Sequence, residues 1–173
     1  MDTTTGACLC GQITVVMKNE ALNATDRTYV CRCRNCRQTS GSTASTGVIV
    51  PDASVQITGE PKIYQDDKTD SGTSIKRAFC GNCGSPIYTS SPTMDGVRIF
   101  KLGLFEQIPR PSMELYCKER SSWDKPIEGT IQFDAMPTRQ WWCTDTLELE
   151  MNDFQQMSSS NIRNWSATFF VLS

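Results

Sequence analysis

Seven of the nine cysteines in this 173-residue chain fall into three tight groups: Cys8 and Cys10 in GACLCG, Cys31, Cys33 and Cys36 in CRCRNC, and Cys80 and Cys83 in FCGNCGS. A CxxC followed by glycine makes a tight knuckle in which backbone N–H groups point at the sulfurs while both thiolates face one ion. The two outer groups together supply the four ligands of a closed tetrahedral site, Cys8, Cys10, Cys80 and Cys83. The middle group then predicts a second site, carried by one short loop, with three protein ligands and one open position. An open position is what a catalytic ion needs, because substrate or water can enter there. Zinc suits both sites, although iron also binds four sulfurs. A competing reading joins Cys33, Cys36, Cys80 and Cys83 into a single zinc ribbon and leaves Cys8, Cys10 and Cys31 idle; their separation exceeds the ~15 to 20 residues usual for a ribbon.

The chain contains no histidine. That excludes Ser/His and Cys/His catalysis and every mixed Cys/His finger. The formal charge is -2, and seven thiolates with two zinc ions would lower it by three, so the clusters need cations nearby. Arg32, Arg34 and Arg37 interleave with the middle cysteines, and Arg77 precedes Cys80. Such cations favour thiolates and hold anionic ligands. Read as site residues, Arg32, Arg34 and Arg37 are the catalytic candidates, with Gln38, Ser42 and Arg77 binding a ligand; read otherwise, the arginines are counterions on a solvated loop and Ser42 belongs to a turn. For proton transfer the candidates are Glu114, Asp66, Asp67 and Asp70, each equally readable as a solvated surface carboxylate. Cys117 and Cys143 have no partner at ligand spacing and read as packing residues or free thiols. Tyr64, Phe79, Tyr88, Phe100, Phe105 and Trp123 read mostly as core.

The elements that must position these groups are strands. Hydrophobic residues are 38% and charged residues 21% of the chain, the composition of a folded globular domain. Runs rich in Val, Ile and Thr between Gly and Pro predict strands at 12–17, 28–30, 47–50, 55–58, 62–64, 75–79, 97–102 and 113–116, with no helical period in the first 130 residues. A mainly β zinc-binding domain over 1–136 follows, with 137–173 as a C-terminal extension, packed on it or partly free. There, Leu147, Leu149 and Met151 alternate with polar residues as in a half-buried strand, and 167–172 fits another. The near-neutral charge argues against nucleic acid as a partner. No run approaches the ~20 apolar residues that span a bilayer, and the start lacks a secretory pattern, so a cytoplasmic protein with reduced thiols is expected. A homodimer is compatible with the sequence.

GACLCG at 6–11, CRCRNCR at 31–37, Gly41-Ser42 and RAFCGNCGSPIY at 77–88 resemble the glutathione-dependent formaldehyde-activating enzyme family, which also contains centromere protein V. The resemblance covers about 5–129, and ELYCKERSSW at 114–123 is similar to the version common in fungi. It implies a tent-like β fold with two zinc ions per chain, structural on Cys8, Cys10, Cys80 and Cys83 and catalytic on Cys31, Cys33 and Cys36. It also implies a lyase that joins glutathione and formaldehyde through a carbon-sulfur bond. The family often has His where this chain has Arg32, and a guanidinium cannot shuttle protons at neutral pH. The expected function is thus a zinc-dependent lyase of the carbon-sulfur type acting on a small molecule, with or without glutathione as a cosubstrate. The alternatives are a fungal lyase, isomerase or dehydratase of secondary metabolism that does not use formaldehyde, a non-catalytic zinc-stabilised binding module, and a metal buffer.

Overall fold

A computed structural model describes residues 2–137. Cys143, the strands expected within 147–151 and 167–172, and all but the first residue of the 137–173 extension lie outside the described residues. The short Val, Ile and Thr runs pair into two sheets. β1 (Thr3–Ala7), β2 (Thr14–Lys18) and β5 (Val55–Thr58) make a three-stranded antiparallel sheet. The larger sheet contains β3 (Thr28–Cys31), β4 (Ser45–Pro51), β6 (Lys62–Asp66), β7 (Ile75–Phe79), β8 (Pro86–Ser90), β9 (Val97–Lys101), β10 (Met113–Leu115) and β11 (Ile131–Phe133), in the order β11-β10-β3-β4-β9-β8-β7-β6. β10 runs parallel to both β3 and β11, whereas the other pairs are antiparallel.

All eight strands expected between residues 12 and 116 exist, and the fold is mainly β. The reading missed β1, β8 and β11 and two helical turns, α1 (Asn19–Leu22) and α2 (Arg34–Ser40). β1 reads TTTGA and has no apolar alternation; its continuous register with β2 makes it a strand. β8 opens on Pro86, which sequence marks as a break but which is tolerated at the first residue of a strand. α2 is seven residues long, too short for a period of 3.6 to be seen.

Pleating divides the larger sheet into two unlike faces. Val48, Val50, Ala78 and Phe100 point one way and join Ile13, Val15, Met17, Leu22 and Phe105 in the core. The other face is polar in its middle. Met113, Tyr29, Gly47 and Lys101 align across β10, β3, β4 and β9, and the next row holds Leu115, Cys31 and Ser45. A third row runs through Ile49, Ile99, Thr89, Arg77 and Tyr64. Gly47 gives the Tyr29 ring its room, because a Cβ there would lie 3.1 Å from the Tyr29 hydroxyl.

Candidate metal centre

The outer cysteines meet although about 70 residues separate them. Both knuckles turn on a left-handed glycine, Gly11 at φ 76° and Gly84 at φ 77°. One is closed by the N–H of Cys8 donating to the Ile13 carbonyl and that of Gly11 to the Cys8 carbonyl; the other by the N–H of Cys80 donating to Ser85 and that of Gly84 to Cys80, all at 2.9 Å. The Leu9 N–H donates to Ser85 Oγ at 3.0 Å and ties the knuckles together. Ile13 N–H donates to Cys8 Sγ at 3.2 Å. Hydrogen bonding from Ser85 pulls the Cys83 thiol down to about 5. The Sγ atoms of Cys8 and Cys10 are 3.6 Å apart, and those of Cys10 and Cys80 3.7 Å. A zinc ion with bonds of about 2.3 Å separates tetrahedral sulfurs by about 3.8 Å, so this donor set fits one.

The middle cysteines come from three different backbone settings rather than one loop. Cys31 ends β3, Cys33 caps α2, and Cys36 lies in the first turn of that helix. The Arg37 N–H donates to the Cys33 carbonyl at 3.0 Å, and Gly41 at φ 61° ends the helix. The three sulfurs lie within 4.8 Å of one another, as do the four outer ones. Negative charge concentrates on Cys36, whose thiol is drawn down to about 2 by the thiols of Cys31 and Cys33 and then by Lys101 and Arg77. Cys33 is pushed up to about 11 and Cys31 well up, each by its place in the same cluster. Three sulfurs sharing too few protons is the state that a divalent cation relieves, because ligand thiols must lose their protons. Among the described residues the cluster has three members and no fourth. The single zinc ribbon is overturned, since Cys80 and Cys83 close on Cys8 and Cys10 and not on Cys33 and Cys36.

Residues 3–119 match the profile of the glutathione-dependent formaldehyde-activating enzyme family. The chain belongs to that family. Among solved structures, the crystal structure of a Rhodobacter sphaeroides protein is similar at 17% identity and a TM-score of 0.46, over 61% of this chain and 97% of that one. No curated protein sequence matches. The family's description makes its members glutathione-dependent enzymes that activate formaldehyde, and the two cysteine clusters could each hold zinc.

The arginines expected around the family's middle centre divide three ways. Arg77 is at the cluster: it is 7% exposed, it bonds Cys36, and its Nε donates to Asp66 Oδ2 at 2.7 Å. Asp66 is buried rather than solvated, and it also accepts from Asn35 of α2 at 2.9 and 3.1 Å, which pins the helix over the sheet. Burial alone would raise the Asp66 carboxyl, but Asn35 and Arg77 hold it below its ordinary value. Arg34 and Arg37 turn outward and, with Gln38, Ser42, Thr43 and Ser121, line a groove of about 540 Å3. Arg37 also donates to Glu119 at 3.2 Å, whereas Arg34 has no ion-pair partner among the described residues.

Arg32, expected among the catalytic arginines, is instead engaged by carboxylates away from the cluster. Strand alternation sends it to the opposite face, where it is 3% exposed. Its Nε and Nη2 donate to Glu114 Oε2 at 3.0 and 2.7 Å, and its Nη1 to Asp124. Glu114 is fully buried and also accepts from Arg120, from the Ile127 N–H and from Thr130. It is a structural counterion, neither a surface carboxylate nor a base. Cys117 is no fourth ligand, since its Sγ accepts from Arg120 at 3.2 Å and donates to the Glu114 carbonyl at 3.5 Å. Tyr64 and Trp123, read as core, are 59% and 70% exposed.

Three site residues escaped the reading. Lys101, 7% exposed, faces the charges of Cys36, Cys31 and Cys33. Its only signal was a lysine closing a strand, Val97–Lys101, that also carries Arg98. Tyr29 lies in the same row and is raised by burial and by the three thiols. Tyr116 has φ 60°, alone among the described non-glycine residues in being positive. Alternation from Glu114 would send Tyr116 toward the Arg32 network; the left-handed residue instead turns it to Asp70 and toward Cys33 and Cys31, and burial and Asp70 raise its hydroxyl. Backbone strain of this kind costs about 1 to 3 kcal/mol and concentrates at functional sites.

Proposed function

We propose that this family member is a zinc-dependent lyase of the carbon-sulfur type, acting on a small carbonyl compound with glutathione as cosubstrate. One observation carries the reading: Cys31, Cys33 and Cys36 make a three-thiol cluster with no fourth protein ligand among the described residues, beside buried cations on a polar sheet face. The cluster holds the catalytic ion, and Cys8, Cys10, Cys80 and Cys83 hold a structural one. When bound, the catalytic ion supplies Lewis acidity that favours a thiolate or polarises a carbonyl.

The chain's own residues do the rest. Arg34, Arg37, Gln38 and Ser42 offer the groove in which a cosubstrate carboxylate is held, and Arg77 keeps Cys36 ionised. In the forward direction a carbon-sulfur bond forms, the thiol proton leaves sulfur, and the carbonyl oxygen gains a proton. Tyr116, bonded to Asp70 and turned toward the cluster, is placed to move that proton in a chain without histidine. The test supplies glutathione and formaldehyde and follows S-hydroxymethylglutathione by NMR exchange. The expected result is a rate above the uncatalysed one, abolished in Cys33→Ser and reduced at least ~10-fold in Tyr116→Phe. If the wild-type protein carrying two zinc ions adds nothing to the uncatalysed rate, formaldehyde is not its substrate. The carbonyl compound is then that of a biosynthetic lyase, isomerase or dehydratase.

A further inference from the structure

The Lys101 amine is more than nine-tenths buried, and among the described residues no carboxylate pairs with it. Its Nζ donates to Ser45 Oγ at 3.4 Å, a weak bond, and among the described residues it makes no ion pair. A buried charge without a counter-charge is expensive. Ser45 pairs with Cys31 across β3 and β4, so the bond to Ser45 sets the amine beside the three-thiol cluster, and the charges it faces are those of Cys36, Cys31 and Cys33. The neighbouring cation, Arg77, is already matched by Asp66. Three thiolates around one divalent ion leave one surplus negative charge, which Lys101 cancels. The surrounding face keeps hydrogen-bonding capacity in reserve as well: Thr89, which pairs with Arg77 and Ile99, has a buried hydroxyl with no partner among the described residues.

We infer that Lys101 is a specificity-determining residue of the three-thiol centre, its ammonium selecting an anionic guest, a thiolate or an oxyanion, over a neutral one. The inference rests on the open fourth position of the proposed function and adds the charge of what enters there. Without Lys101 an anionic guest would double the surplus negative charge in a buried site; with it, the guest restores a single one. A neutral guest meets no such difference.

The experiment needs no knowledge of the natural substrate. Protein loaded with two cobalt(II) ions per chain is titrated with 2-mercaptoethanol, which binds as the thiolate, and with imidazole, which binds neutral, and the visible cobalt bands report each affinity. Lys101→Met should still take up two cobalt ions, lose roughly tenfold or more in mercaptoethanol affinity, and keep its imidazole affinity within about twofold. Lys101→Arg should restore the thiolate preference. Lys101→Gln keeps a hydrogen-bond donor toward Ser45 without the charge and should behave as the Met variant, which covers the case that methionine does not fold. Equal losses for both ligands, no loss for either, or a variant limited to one cobalt would overturn the inference. A wild-type cobalt spectrum that ignores both ligands would instead defeat the open-corner reading itself.

Discussion

Removing the carboxylate of Glu114 leaves the Arg32 guanidinium buried against Asp124 alone. Breaking such a pair costs about 3 to 5 kcal/mol, because the surviving charge keeps its desolvation penalty. Glu114→Gln is therefore expected to lower the urea midpoint sharply without altering metal content, and Arg32→Met combined with Glu114→Leu should recover part of the loss. The pH dependence follows from the same contacts. Burial pushes the Glu114 carboxyl up, but the Ile127 N–H, Arg32 and Arg120 outweigh it and hold the group below its ordinary 4.5. A depressed carboxyl contributes stability that is complete above the unfolded value and is lost as pH falls through the folded one. The wild type should thus weaken progressively below about pH 4.5, and Glu114→Gln should show a shallower slope there in denaturant titrations. Lys101 and Tyr116 were hidden at this scale for one reason. Each faces groups on segments distant in sequence, Lys101 the thiols of β3 and α2 and Tyr116 the Asp70 turn, and one sequence does not state which segments meet.

Between residues and the whole fold, the rows of the larger sheet decide what reaches the metal centre. Gly47 separates Tyr29 from Lys101 in one row, and an added Cβ would press on the Tyr29 hydroxyl and on Ile99 at 3.1 Å. Gly47→Ala should cost about 1 to 3 kcal/mol by overpacking and shift the Tyr29 ring. Gly47→Val should shift it further, with the cobalt spectrum of the middle centre changing while that of the outer centre stays fixed. Local patterning made most strands legible: 55–58 and 75–79 coincide with β5 and β7. The cysteine partition was legible too, because ligand number and spacing constrain it without any knowledge of topology. What escaped depends on context. β8 begins at a proline, β1 acquires strand geometry from β2, and α2 spans two turns built around ligands rather than around an apolar stripe.

At the scale of the molecule the two clusters do unequal structural work. Cys8 and Cys80 are core residues, 4% and 1% exposed, packed with Val15, Val48 and Phe100. The outer set also joins segments 70 residues apart, as between Cys10 and Cys80, so an ion there closes a long loop whose entropy the unfolded chain retains. The middle set spans only 31–36 and lies on the sheet face away from the core, with α2 held independently by the Asn35 and Asp66 bonds. A structural zinc contributes on the order of 10 kcal/mol, comparable to the whole stability of a small domain. Cys80→Ser should therefore lose the outer ion and most of the cooperative thermal transition. Cys33→Ser should lose one ion by elemental analysis and shift the midpoint by only a few degrees, about 1 kcal/mol in a domain of this size. If the two variants melt alike, the middle ion is a staple rather than a reaction centre. A larger loss in Cys33→Ser than in Cys80→Ser would place the fold's dependence on metal at α2 rather than at the knuckles.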